Sequence, residues 1–230
     1  MDDYGPGRNN DGRTPKEGEV QYYKRDFWGV ENLKYSDPHY RMRKVAQVVR
    51  DVAGGRECDL LDVGCGPATL GRLMPANVHY HGIDIAIPEP APNLIELDII
   101  ESPIDFRGLR FDIVVAQGMF EYVGEFQSQK FAEIVGLLKP GGKFVLTYQN
   151  FAHREKEIYW PYSNVRPPAE FRSELSRSFV IEKAFPGSHN WHHSQPRRRF
   201  MVMSQAHLNI NIPVISPILA VDYFYVCSPR

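Results

Sequence analysis

No stretch of this chain stays apolar for the roughly twenty residues that a bilayer-crossing helix needs, so integral membrane association is not expected. Cysteine is scarce. Cys58, Cys65 and Cys227 are odd in number and share no C-x-x-C spacing, which argues against a disulfide framework and a cysteine zinc site. An excess of charge is missing too: Lys and Arg total 27 against 28 Asp and Glu, a formal net charge of −1. Such a balance provides no field to draw nucleic acid or an anionic membrane surface. The one dense basic run, Pro196-Arg197-Arg198-Arg199, reads as a solvated face, with contact to an acidic group on a ligand as the first alternative and nucleic-acid binding a distant third, because no basic field surrounds it. Residues 1–19 are polar and rich in Gly, Asp and Asn, a disordered tail rather than a signal peptide. At 230 residues and 43% hydrophobic content, one core with appendages is expected, in a reduced, soluble, cytoplasmic protein.

Against these absences, Leu60-Leu61-Asp62-Val63-Gly64-Cys65-Gly66-Pro67-Ala68 stands out. An apolar run ends in an acid and breaks into a glycine-rich turn, as when a buried parallel strand presents its carboxyl end to a nucleotide-like ligand. Gly64 and Gly66 permit positive φ and leave no Cβ between backbone and ligand. A second strand pattern, Tyr80 to Ile85, carries Asp84 about twenty residues beyond Asp62, the spacing at which dinucleotide-binding folds place the acid that grips ribose hydroxyls. A third, Leu94 to Ile99, carries Asp98, and a fourth, Phe111 to Ala116, runs into Gln117-Gly118. Leu138-Lys139-Pro140-Gly141-Gly142 then precedes a fifth strand, Lys143 to Tyr148.

This ordered set resembles the class I S-adenosylmethionine-dependent methyltransferases over about residues 40–150, closest in pattern to those acting on small molecules. The resemblance implies a Rossmann-like α/β fold: a doubly wound, mostly parallel seven-stranded sheet with an antiparallel last strand, in three layers α/β/α. It implies S-adenosyl-L-methionine as cofactor, held by Asp62, Gly64, Cys65, Gly66, Asp84, Ile85, Asp98, Ile99, Gln117 and Gly118. Within that set, backbone groups of the glycine loop hold the methionine end and Asp84 accepts both ribose hydroxyls. Asp98 takes the adenine amino group between Ile85 and Ile99, and Gln117-Gly118 faces the transferable methyl. The family often has a third glycine where this chain has Ala68.

Hydrophobic periodicity divides the rest of the chain. Asp37-Pro38 opens a helix whose apolar face is Met42, Val45, Val48, Val49 and Val52, and Gly54-Gly55 ends it. Ala86 to Asn93 contains three alternating prolines and cannot be helical. Extended at about 3.1 Å per residue, this segment can return along a strand about 17 Å long without a crossover helix. A helix is expected over Phe126 to Leu138, another near Pro168 to Arg177, and strands over Phe179 to Phe185 and Ala220 to Cys227. The last of these is antiparallel in the family that the chain resembles. Residues 20–230 then form a single domain: a lid at 20–36, a cofactor-binding core at 37–149, and acceptor-side insertions at 150–167 and 187–219.

Acceptor chemistry is less legible. Where many family members read E-x-L-E-H-V and some bind a divalent cation, the aligned residues are Gly118, Glu121 and Tyr122, so no metal is expected. Neither the N-P-P-Y of amide and DNA methyltransferases nor a Pro-Cys nucleophile is present. Methyl transfer is an in-line displacement in which the protein aligns the acceptor and, where needed, removes its proton. His153 and His192 are the first candidate bases, with His189 and His193 behind them. Tyr22, Tyr23 and Trp28 suit a lid, and Tyr159, Trp160 and Tyr162 suit a cover for the acceptor, because aromatic rings supply apolar walls with polar tips. The expected reaction is metal-independent methylation of a small-molecule oxygen or nitrogen. The alternatives are a protein or tRNA methyltransferase and a non-catalytic partner of the same fold. No nucleic-acid partner is expected, and a homodimer is left open.

Overall fold

Alternation of buried side chains along the strands decides which face each helix covers. The computed structural model describes residues 40–149, 166–189 and 220–230. Its elements are α1 (Tyr40–Ala53), β1 (Cys58–Val63), β2 (Val78–Asp84), β3 (Leu94–Glu96), β4 (Phe111–Gln117), α2 (Gln127–Leu137), β5 (Leu138–Gln149), α3 (Pro168–Ser178), β6 (Phe179–His189) and β7 (Ala220–Pro229). Leu60, Ile113, Val115, Val145, Phe224 and Val226 pack with the Met42, Val45 and Val49 face of α1. Their neighbours Leu61, Val114, Phe144, Leu146, Tyr225 and Cys227 pack with Phe131 and Ile134 of α2 and Phe171 and Leu175 of α3. A period of two thus sorts each strand between two helical layers, giving the three-layer α/β/α arrangement.

The sheet has seven strands in the order β3-β2-β1-β4-β5-β7-β6. Strands β1 to β5 pair in parallel, and β7 runs antiparallel to both β5 and β6. Strand order reverses at β1, which has β2 on one side and β4 on the other. Pairings Val63↔Ala116, Asp84↔Glu96 and Gln117↔Thr147 bring the carboxyl ends of β1 to β5 to one edge. Ligands of open α/β sheets bind at such an edge, beside the reversal.

Helix α1 ends as its glycines predict: Gly54 (φ +58°) and Gly55 (φ +76°) are left-handed, and the Gly54 N–H donates to Arg50 O at 2.9 Å. The proline-rich return between β2 and β3 is without a helix, as expected. The connections from β1 to β2 and from β3 to β4 are also unusual, holding one 3₁₀ turn (Gly71–Leu73) and irregular chain respectively. Strand β3 is shorter than the expected Leu94 to Ile99. The Leu97 N–H makes a last ladder bond to Asp84 O at 2.8 Å, and then Asp98 Oδ1 accepts the Ile100 N–H at 2.9 Å and turns the chain. Strand β5 starts earlier than expected, because Leu138 already pairs with Phe111 while Lys143 pairs with Ile113. Lys139 to Gly142 bulge out opposite Asp112, with Gly141 at φ +79°. Strands β6 and β7 run to His189 and Pro229, past the expected Phe185 and Cys227. Among the described residues no helix is long and apolar enough to cross a membrane.

Candidate active site

Strand β1 leaves the sheet at Val63 through Gly64 (φ +80°). A Cβ at Gly64 would lie 2.8 Å from Met119 Cγ, so the loop after β4 presses on this turn and glycine is required there. The Gly64 and Cys65 N–H groups both donate to Ile83 O, at 2.8 and 3.0 Å, stitching the loop to β2. Gly66 (φ +51°) donates its N–H to Asp84 Oδ2 at 2.8 Å, and Ala86 donates to Oδ1 at 3.3 Å. Asp84 therefore shapes the glycine loop, which the strand-end pattern did not reveal. Buried Cys65 lies against Gly82, where a Cβ would come within 2.7 Å of its Sγ. Ala68 stands at φ +52°, a left-handed conformation that the family's third glycine would adopt without strain.

Asp62 lies beneath the loop, buried. The Tyr80 hydroxyl donates to its Oδ2 at 2.8 Å, while Oδ1 has no hydrogen-bond partner. Burial raises the Asp62 carboxyl to about 7, partly offset by the Tyr80 bond, and the charge of Asp84 adds to the rise. An unpartnered buried carboxylate oxygen costs about 1–3 kcal/mol or more until a donor arrives. The ammonium of a bound amino acid moiety is such a donor, so this carboxylate fits the methionine end of the expected cofactor. Ile85, Asp98 and Ile99, expected around the adenine, are all half-buried, with Ile99 packed against the core.

Gln117 closes β4, and Gly118 (φ +60°) follows, its N–H donating to Thr147 Oγ1 at 2.8 Å. The Arg41 guanidinium lies on Gly118, where a Cβ would be 3.0 Å from Nη1. One edge thus gathers Asp62, Gly64, Cys65, Gly66, Asp84, Gln117 and Gly118. His153 and His192, and the aromatic residues Tyr22, Tyr23, Trp28, Tyr159, Trp160 and Tyr162, lie outside the described residues, as does His193. His189 ends β6.

Next to this edge is a group of charged and polar residues of which the pattern reading named only Glu121, and that only as one position of a metal-binding pattern. Glu121, in a 3₁₀ turn after β4, is 1% exposed, and its Oε1 accepts the Gln149 N–H at 2.6 Å. Its Oε2 has no partner, nor does the buried Oε1 of Gln149. Burial raises Glu121 to about 7, countered by its own backbone N–H, the charge of Arg41 and the Gln149 N–H; Asp222 adds to the rise. Buried Asp222 pairs across the strands with Gln149 and fills the space that a Cβ at Gly187 would take. Lys44 donates to Pro186 O and Gly187 O at 3.2 and 3.1 Å and sits over the Phe185 and Phe224 rings. Burial lowers Lys44 to about 8 despite the pull of Asp222. A signal existed in the sequence: Arg41 and Lys44 share a helical stripe with Val48, placing two cations on the apolar side of α1.

The family described as a methyltransferase domain matches residues 38–183, more than half of the chain. No curated protein matches it. Among solved structures, the CcbJ methyltransferase from Streptomyces caelestis is 14% identical, covering 90% of this chain and 100% of its own, with a TM-score of 0.64. A putative methyltransferase in complex with the Trm112 methyltransferase activator, from Haloferax volcanii, is 16% identical over 91% and 98% of the chains, at 0.61. The 1,6-didemethyltoxoflavin-N1-methyltransferase of Burkholderia thailandensis, with bound 1,6-didemethyltoxoflavin and S-adenosylhomocysteine, is 16% identical over 86% and 80%, at 0.57. These likenesses bear out the Rossmann-like fold and its antiparallel last strand. With the glycine loop and its acids assembled at one sheet edge and the family match running through them, the chain belongs to the methyltransferase domain family and is an S-adenosylmethionine-dependent methyltransferase.

Proposed function

We propose that the chain methylates a nitrogen or oxygen of a small-molecule acceptor, by in-line displacement and without a metal. The observation that carries the cofactor half is the loop from Gly64 to Gly66, hydrogen-bonded to Ile83 and Asp84, with the buried carboxylate of Asp62 beside it at the carboxyl end of β1 where strand order reverses. When bound, S-adenosylmethionine supplies a methyl group already activated on a sulfonium. Asp62 Oδ1 would accept from its ammonium, and the main chain of Gly64, Cys65 and Gly66 would border the methionine end. A carboxylate offers about four acceptor sites, so Asp84 would serve the ribose diol as well as the Gly66 and Ala86 N–H groups. Asp98, Ile85 and Ile99 would frame the adenine, and Gln117 and Gly118 would face the methyl. The charge balance of the chain supports a small acceptor over a polyanionic one.

Calorimetric titration of the full chain with S-adenosylmethionine tests the cofactor assignments. Asp84→Asn is the informative variant, because it keeps an oxygen for the Gly66 N–H while removing the charge that strengthens bonds to the ribose. Its cofactor Kd should rise about tenfold or more. Unchanged affinity in a folded variant would remove Asp84 from the site.

A further inference from the structure

We propose that Glu121 and Gln149 form the seat of the reacting atom, and that this atom is an amine nitrogen, which gives up its proton to Glu121 Oε2. The proposal rests on the methyltransferase reading and names the acceptor class for that same site. Gln117↔Thr147 is the last pair between β4 and β5, so the end of β5 has no strand neighbour on that side. Glu121 fills the gap, its Oε1 accepting the Gln149 N–H. That bond leaves Glu121 Oε2 and the Gln149 side-chain Oε1 buried without partners, on adjoining residues at the edge where the glycine loop, Met119 and Gly118 meet.

Two unpartnered acceptor oxygens on residues already joined by a hydrogen bond call for a group with more than one N–H, which an alcohol cannot offer and an amine nitrogen can. The charges facing Glu121 are Arg41 on α1 and Asp222 on β7, and on β5 the Tyr148 hydroxyl, raised chiefly by burial, is raised further by the charge of Glu121. Burial holds Glu121 at about 7, so near neutral pH it can attract an ammonium as a carboxylate and then take its proton. The lone pair so freed forms the N–CH₃ bond, and the S–CH₃ bond breaks with its electron pair passing to sulfur. The nitrogen gains one methyl, and the displaced proton rests on Glu121.

The test uses the full chain loaded with S-adenosylhomocysteine, titrated with benzylamine and cyclohexylamine and with their matched alcohols, benzyl alcohol and cyclohexanol. At least one amine should bind about tenfold tighter than its alcohol, a gap of about 1.4 kcal/mol. Amine affinity should fall as pH drops through about 7, where Glu121 gains its proton. Glu121→Gln, which can still accept the Gln149 N–H, should erase both the preference and the pH dependence while leaving S-adenosylhomocysteine affinity within about threefold of wild type. Gln149→Leu keeps that N–H and should weaken amine binding alone. Equal binding of amines and alcohols, no amine binding, or a preference that survives in Glu121→Gln would overturn the proposal. Failure of the wild-type chain to bind S-adenosylhomocysteine would instead count against the cofactor assignments on which it rests.

Discussion

Ala68 holds φ at +52° in the loop that carries the cofactor-binding pattern. Left-handed backbone costs a residue with a Cβ about 1–2 kcal/mol, and glycine loses about 0.5–1 kcal/mol of that advantage to its larger unfolded-state entropy. Ala68→Gly should therefore stabilise the protein by about 0.5–1 kcal/mol, read as a higher denaturation midpoint at constant slope. Asp62 makes an opposite kind of sacrifice. Its folded-state value of about 7 lies above the ordinary carboxyl value of 3.8, so the folded state binds the extra proton. The stability linked to that proton is fully present below about pH 4 and is lost as pH rises through about 7. Asp62→Asn cannot ionise and does not suffer the loss. Its stability relative to wild type should rise between pH 5 and pH 8 by on the order of 2 kcal/mol, measured by denaturant unfolding without cofactor. A constant difference across that range would show that Asp62 is not held neutral by burial.

The elements are knitted together around aromatic rings. Phe131 of α2 stacks on Phe120 at 4.6 Å between ring centroids and meets Phe144 of β5, Phe171 of α3 and Phe179 of β6 edge-on. One side chain thus ties two helices and two strands to the turn that carries Glu121. Phe131→Ala should cost about 3–5 kcal/mol, by lost transfer energy and a cavity that these neighbours cannot close. It should also disturb amine binding through Phe120, which precedes Glu121 in the same 3₁₀ turn. Chemical denaturation gives the first effect, and the amine titration gives the second. Helix α1 shows how an element serves both core and site. Met42, Val45 and Val49 cover the sheet, while Arg41 and Lys44 reach the edge where β4, β5 and β6 end and β7 begins.

At the scale of the molecule, binding and stability are linked. S-adenosylhomocysteine at a hundred times its Kd should add about 2.7 kcal/mol and raise the melting temperature. The expected metal independence predicts the same shift in EDTA, and a shift that disappears in chelator and returns with magnesium would contradict it. Much of this was legible in sequence. The strand-ending acids, the glycine turn, the absent helix between β2 and β3 and the apolar face of α1 are local patterns with periods of two or 3.6 residues, set by backbone geometry. The seven-stranded, doubly wound sheet with its antiparallel last strand followed from the family resemblance that those patterns carried. What only the tertiary structure decided joins distant residues. Asp84 holding the Gly66 N–H, the bulge of Lys139 to Gly142 opposite Asp112, and Glu121 completing the hydrogen bonding of Gln149 all depend on which strands end side by side. Glu121 read in sequence as the remnant of a metal-binding pattern, because nothing within a few residues shows that β4 stops short of β5. Burial and unpartnered oxygens are properties of the packed molecule, and they exist only once the chain around them is in place.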